Sequence, residues 1–148
     1  MGLDFTLYEN NSYNDVEIKK VFEIEEVMYL SNHQAMLLTN WFYREDGDEL
    51  KHNYNQSRHY VECYGDDIWE IIKALKKVLD ETDEVKKDLL ALHYFPVVTP
   101  ISNYVSSIEL WSEGYYEDLE LIYEKLIGIM PSNSLDNRER QFYYNISW

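Results

Sequence analysis

Cysteine occurs once in this chain, at Cys63, so no internal disulfide framework and no zinc site built from several thiolates can form. Glycine is nearly as scarce, with five in 148 residues, and none of them makes a glycine-rich loop able to cradle a phosphate. Long hydrophobic runs are missing as well; nothing approaches the roughly 20 apolar residues that cross a bilayer. The opening MGLDFTLYEN holds neither a basic region nor a long apolar core, as a secretory leader would. The expectation is a chain that works in a reducing cytoplasm. Basic residues are few, 13 Lys and Arg against 28 Asp and Glu, for a formal net charge of -15. No basic, aromatic-interleaved patch stands out, which speaks against direct binding of DNA or RNA.

What is present is aromatic and acidic. The chain has 14 Tyr, 5 Phe and 4 Trp, and burying such side chains offsets the entropy lost on folding. Many of the tyrosines must sit with the ring covered and the hydroxyl wet, an arrangement also favoured at binding surfaces. The acidic surplus repels phosphates and anionic membranes and attracts basic surfaces, at rates that fall with salt. Acidity also serves solubility alone. The length suits one domain with its own core.

Apolar periodicity divides the chain into elements. Leu3, Phe5 and Leu7 alternate with polar neighbours, which predicts a strand over 1–9. From Glu23 to Phe42 the positions Ile24, Val27, Met28, Ala35, Leu38, Trp41 and Phe42 fit helical spacing, with Asn32 and His33 as an interruption. A polar connection over 44–57 leads to a short strand over 59–64. Asp66 or Asp67 serves as N-cap of a helix to Leu79, and 83–92 forms a shorter helix after a break at Glu81–Thr82. Pro96 and Pro100 bracket an irregular stretch, and 104–110 reads as a strand. Helix 115–130 has the clearest pattern, with Leu119, Ile122, Leu126 and Ile129 as its buried stripe. The alternating residues 141–148 close the chain as a strand. The expected fold is one α+β domain, residues 1–148, in which a small antiparallel sheet holding both terminal strands packs against about three helices.

Chemistry-bearing constellations are sparse. Glu113, Glu117, Glu120 and Glu124 are spaced four, three and four apart, which stacks them on one helix face. Such a stripe is either a solvated face opposite the core or a row of charges fitted to a basic groove. Successive carboxylates lie about one helical turn, ~5.4 Å, apart, of the order of the spacing of phosphates along a nucleic-acid strand. Glu45, Asp46, Asp48 and Glu49, together with Asp80, Glu81, Asp83 and Glu84, would extend that surface if they lay alongside. The four histidines show no HxxxH or HExxH pairing, so no metal site is assigned. No GxSxG occurs, and Cys63 falls in a strand where a buried thiol is inert, so no catalytic residue and no cofactor are assigned either.

Both ends of the chain resemble a family of small phage and prophage proteins. The opening Met1-Gly2-Leu3-Asp4 and the closing Phe142-Tyr143-Tyr144-Asn145-Ile146-Ser147-Trp148 carry the likeness. Asn40-Trp41-Phe42 and the acidic, tyrosine-rich run Trp111 to Leu119 fit it too. The family usually has an Asn and a His shortly before the Trp-Phe pair; here Met36 and Thr39 stand at those positions, which weakens an enzymatic reading. The resemblance implies a phage or mobile-element origin and expression in a bacterial cytoplasm, a setting in which small acidic proteins often act in counter-defence. The leading expectation is an inhibitor of a basic nucleic-acid-handling protein, with a CRISPR–Cas effector as the target class. Its contacts would be Glu113, Glu117, Glu120 and Glu124, with Tyr115 and Tyr116 as aromatic anchors. Two alternatives stay open: a small enzyme or small-molecule binder whose polar pocket gathers His33, Asn40 and His59, and a self-associating phage component, a homodimer for instance, that uses exposed tyrosines and the edge of the terminal strand.

Overall fold

The computed structural model describes residues 2–10, 18–27, 34–45, 58–96 and 114–147. Four strands, β1 (Gly2–Asn10), β2 (Ile18–Val27), β3 (Arg58–Tyr64) and β4 (Gln141–Ser147), form one antiparallel sheet in the order β2-β1-β4-β3. Five helices accompany it among the described residues: α1 (Gln34–Glu45), α2 (Gly65–Leu79), α3 (Glu84–Tyr94), α4 (Tyr115–Ile129) and the single turn α5 (Leu135–Arg138). The result is an α+β domain with its terminal strands side by side at the centre of the sheet. Asp4 pairs with Ser147 and Glu9 with Phe142, so the two ends of the chain are zipped together. With both its edges paired, β4 cannot lend an edge to self-association as the sequence suggested; among the described strands the outer ones are β2 and β3.

The alternation seen in the sequence decides which sheet face is covered. Along β4, Phe142, Tyr144 and Ile146 are buried while the residues between them are half-exposed. Phe5 and Leu7 of β1 and Phe22 and Ile24 of β2 share the buried face. Helix α1 lies across β1 and β2 and inserts Phe42, whose ring stacks 5.5 Å from Phe5 and 4.4 Å from Tyr144. Helix α2 adds Ile68, Ile71, Ile72, Leu75 and Val78, and packs against α4 through Leu119, Ile122 and Leu126. Each such side chain, fully buried, contributes roughly 1.5–3 kcal/mol.

Several boundaries differ from the periodicity. Residues 23–27 belong to β2 and not to a helix; Ile24 and Val27 fit helical spacing, but Phe22 and Ile24 fit a period of 2, and their pairing with Leu7 and Phe5 selects the strand. The helix in that stretch begins only at Gln34 and takes in Arg44 and Glu45. Helix α2 starts at Gly65 with Tyr64 as its N-cap, two or three residues earlier than a cap at Asp66 or Asp67 implies: Asp67 lies inside the helix and its carboxylate accepts the backbone N–H of Tyr64 at 2.7 Å. Gly65 is required there, because a Cβ would stand 1.9 Å from the carbonyl oxygen of Asn137 in α5. The connection over 46–57 and the proposed strand over 104–110 lie outside the described residues.

Arg140 ties the layers. Its guanidinium grips Glu9 with two bonds of 2.7 Å, donates to the Ile129 carbonyl at the end of α4 at 2.6 Å, and lies over the Phe142 ring. The Glu9 hydrogen bond raises its pKa against the opposing effect of burial.

Candidate functional site

Gly114 is the N-cap of α4, and its φ of 96° lies in the left-handed region that disfavours side chains. Two tyrosines then fasten its first turn to α3. Tyr115 is buried and its hydroxyl donates to the Phe95 carbonyl at 2.8 Å; Tyr116, half-buried, donates to Asp88 and carries the Lys87 ammonium 4.7 Å from its ring centre. Burial first, then neighbouring Tyr116 and Asp88, pushes the Tyr115 hydroxyl well above the ordinary phenol range. Burial and the Asp88 bond do the same for Tyr116. Tyr115 is therefore part of the core, and an anchoring role for its ring on a partner is not open to it.

With Tyr115, Asp118, Leu119, Ile122 and Leu126 facing inward, helical geometry turns Glu117, Glu120 and Glu124 directly outward. All three are exposed, and none is in an ion pair among the described residues. Glu113 lies outside the described residues. Beside the glutamates on the same side, Leu121 is also exposed. Three of the second acidic group are engaged locally: Asp80 pairs with Lys76 at 2.9 Å, Glu81 with Lys86 at 3.5 Å, and Asp83 caps α3 by accepting Lys86 N–H at 2.9 Å. The side chains of 45–49 lie outside the described residues.

Asn40 and His59 do not converge. Asn40 is buried on α1, where its amide donates to the Pro96 carbonyl at 3.0 Å. His59 is exposed on β3 with Nδ1 3.0 Å from Asn145 Oδ1, on the sheet face away from the helices. The sheet itself stands between them, and His33 lies outside the described residues. Next to Asn40, Thr39 is fully buried; its Oγ1 and the Asn40 Oδ1 have no hydrogen-bond partner among the described residues.

A small cavity of about 170 Å³ opens where α1 and α2 meet β3 and β4. Trp41, Phe42, Cys63 and Tyr144 line its apolar part and Glu62, Asp67 and Glu70 its rim. Of the rim carboxylates, Asp67 accepts the Tyr64 N–H and Glu70 pairs with Lys73 at 2.6 Å, while the Glu62 side chain belongs to the opposite sheet face. The space is well below the ~300 Å³ at which ordinary ligand pockets start. No group of three His, Cys, Asp or Glu side chains among the described residues could hold a metal ion, and no described helix is long and apolar enough to cross a membrane.

The sheet face away from the helices is the surface the sequence did not disclose. Pairing sets Lys20, Tyr8, Tyr143 and Glu62 in one row across all four strands. In the next row Glu23, Thr6 and Asn145 meet a bulge, where His59 and Tyr60 together stand opposite Asn145. Tyr60 takes a φ of 53° and is 53% exposed, with its ring centre 5.6 Å from that of Tyr8. Tyr64 follows at the end of the strand, also exposed, its hydroxyl bonded to Glu62 and its pKa raised mainly by that bond. The tyrosine count and the alternation at 141–147 were the available signals; the bulge that adds Tyr60 left no mark in the sequence. Comparison with known protein families, curated proteins and solved structures finds no match to this chain.

Proposed function

We propose that this chain is a binding protein that inhibits a basic, nucleic-acid-handling bacterial protein, of the counter-defence kind that its phage-like ends suggest, with a CRISPR–Cas effector nuclease as the target class and the bacterial cytoplasm as its place of action. The observation that carries the proposal is the outward row of Glu117, Glu120 and Glu124, unpaired among the described residues, on a helix held rigid by the bonds of Tyr115 and Tyr116. A row fixed on a helix loses little side-chain and backbone freedom on docking, and its charges need not be drawn away from internal partners. The formal net charge of -15 favours encounter with a basic groove over any with nucleic acid itself.

The test is the triple charge reversal E117K/E120K/E124K, assayed for binding to purified effector nucleases across a salt series. The unmodified protein is expected to bind one of them with an affinity that falls with salt and with competition by the nuclease's own nucleic acid. The variant is expected to lose about a hundredfold or more in affinity while keeping its melting temperature. Undiminished binding by the folded variant would remove α4 as the contact surface.

A further inference from the structure

We propose that the sheet face away from the described helices is a second binding surface, one that takes arginine side chains from an extended, basic segment of a protein partner. The face is aromatic and acidic at once. Tyr8 and Tyr143 are cross-strand neighbours, Tyr60 leans on Tyr8, and Glu62 stands beside Tyr143 at the edge strand. Its described carboxylates are Asp4, Glu23 and Glu62; its one described lysine, Lys20, is held by Glu23 at 2.7 Å. No described helix packs on it.

The geometry at Tyr60 separates this face from an ordinary solvated one. A non-glycine residue at positive φ costs on the order of 1 kcal/mol or more, and glycine would relieve that cost. The bulge instead spends the position on an exposed ring and adds it to the row begun by Tyr8 and Tyr143. Bulges of this kind re-aim side chains at functional surfaces. Here the effect is to gather three rings on neighbouring strands with a carboxylate at one end.

Charge and shape choose the occupant. A ring surface bordered by carboxylates attracts cations, and a planar guanidinium can stack on tyrosine while bonding a carboxylate in its own plane. An ammonium makes the point-charge contact but not the stacked one. Single-stranded nucleic acid also stacks on sheet aromatics, but its phosphates would meet Asp4, Glu23 and Glu62 and a strongly acidic chain. A second copy of this chain would bring the same carboxylates and the same net charge to the contact. The proposal shares with the α4 reading only a cationic partner, and it stands or falls separately.

Calorimetric titration of the whole protein with oligo-arginine and oligo-lysine of equal length tests it. Oligo-arginine is expected to bind more tightly, and Tyr60→Gly to lower its affinity about tenfold and shrink its advantage over oligo-lysine. Because glycine suits the φ of 53°, the variant's melting temperature should be kept or raised. Tyr60→Asn, which also tolerates positive φ, gives the same readout should glycine loosen the bulge. The ridge variant E117K/E120K/E124K is expected to weaken both peptides alike and keep the preference for arginine, so failure of one surface is read apart from failure of the other. Equal affinity for the two peptides, unchanged oligo-arginine binding by folded Tyr60 variants, or tighter capture of oligo-thymidylate would each overturn the proposal.

Discussion

Glu117, Glu120 and Glu124 stand on α4 as separate side chains, whereas Tyr8, Tyr60 and Tyr143 form a surface only because three strands are in register. On the helix, each glutamate's direction follows from the backbone repeat and from the inward pull of Leu119, Ile122 and Leu126. On the sheet, Tyr8 and Tyr143 come from opposite ends of the chain, and Tyr60 joins them through an irregularity in the pairing of β3 with β4. Local geometry makes a charged row that tolerates substitution; tertiary pairing makes an aromatic platform that depends on the fold.

Arg140 is where the two regions can be uncoupled, and its loss should have the largest effect on stability. Its guanidinium joins the start of β4, which carries Tyr143, to the end of α4, which carries Glu124. Arg140→Met leaves Glu9 without its two bonds and the Ile129 carbonyl without a donor, and should cost about 3 kcal/mol in urea unfolding. A loss below about 1 kcal/mol would mean that the helix layer and the sheet are held together elsewhere.

Alkaline titration tests the helix side by itself. The folded state holds the Tyr115 and Tyr116 protons well above the ordinary phenol pKa of 10.0, since burial and Asp88 disfavour the phenolates. Above pH 10 the unfolded chain releases these protons and the folded chain keeps them. Their contribution to stability is therefore complete below pH 10 and is lost as pH rises beyond it, by up to about 1.4 kcal/mol per pH unit from Tyr115. Tyr115→Phe should flatten that decline and, by leaving the Phe95 carbonyl unpaired, cost about 1–3 kcal/mol at neutral pH. An unchanged alkaline limb in the variant would place the hydroxyl in water.

The smallest effect is expected where the comparison is sharpest. Glu120→Gln removes a charge that touches nothing described, so the melting temperature should stay within about 2 °C of the parent. A larger fall would mean that the ridge carries structural bonds, and that it is less free for a partner than its exposure suggests.

Much of the fold was legible because its signals are local. The stripe Leu119–Ile122–Leu126 defined α4, Ile68 to Leu79 defined most of α2, and the alternation at 141–147 defined β4 with its buried face. β2 shows the limit: Ile24 and Val27 satisfy a period of 3.6 while Phe22 and Ile24 satisfy one of 2, and only the partner strand breaks the tie. The candidate ridge was legible in Glu117, Glu120 and Glu124 for the same local reason. Tyr115 was misjudged, because a tyrosine in the first turn of a helix can face a partner or a neighbouring helix, and α3 settled which.

By itself, then, the amino-acid order determined the acidic surplus, the one-thiol chemistry, the outward row of glutamates and the mixed class of fold, all of which depend on composition or on spacing within one element. Tertiary structure alone decided that the terminal strands lie together, that Asn40 and His59 are kept on opposite sides of the sheet, and that Tyr8, Tyr60 and Tyr143 share a face. The physical reason is that side-chain direction repeats within an element, whereas neighbours across elements are set by strand register and by one bulge. A shift of a single residue in that register would turn the tyrosines of a strand to the other face.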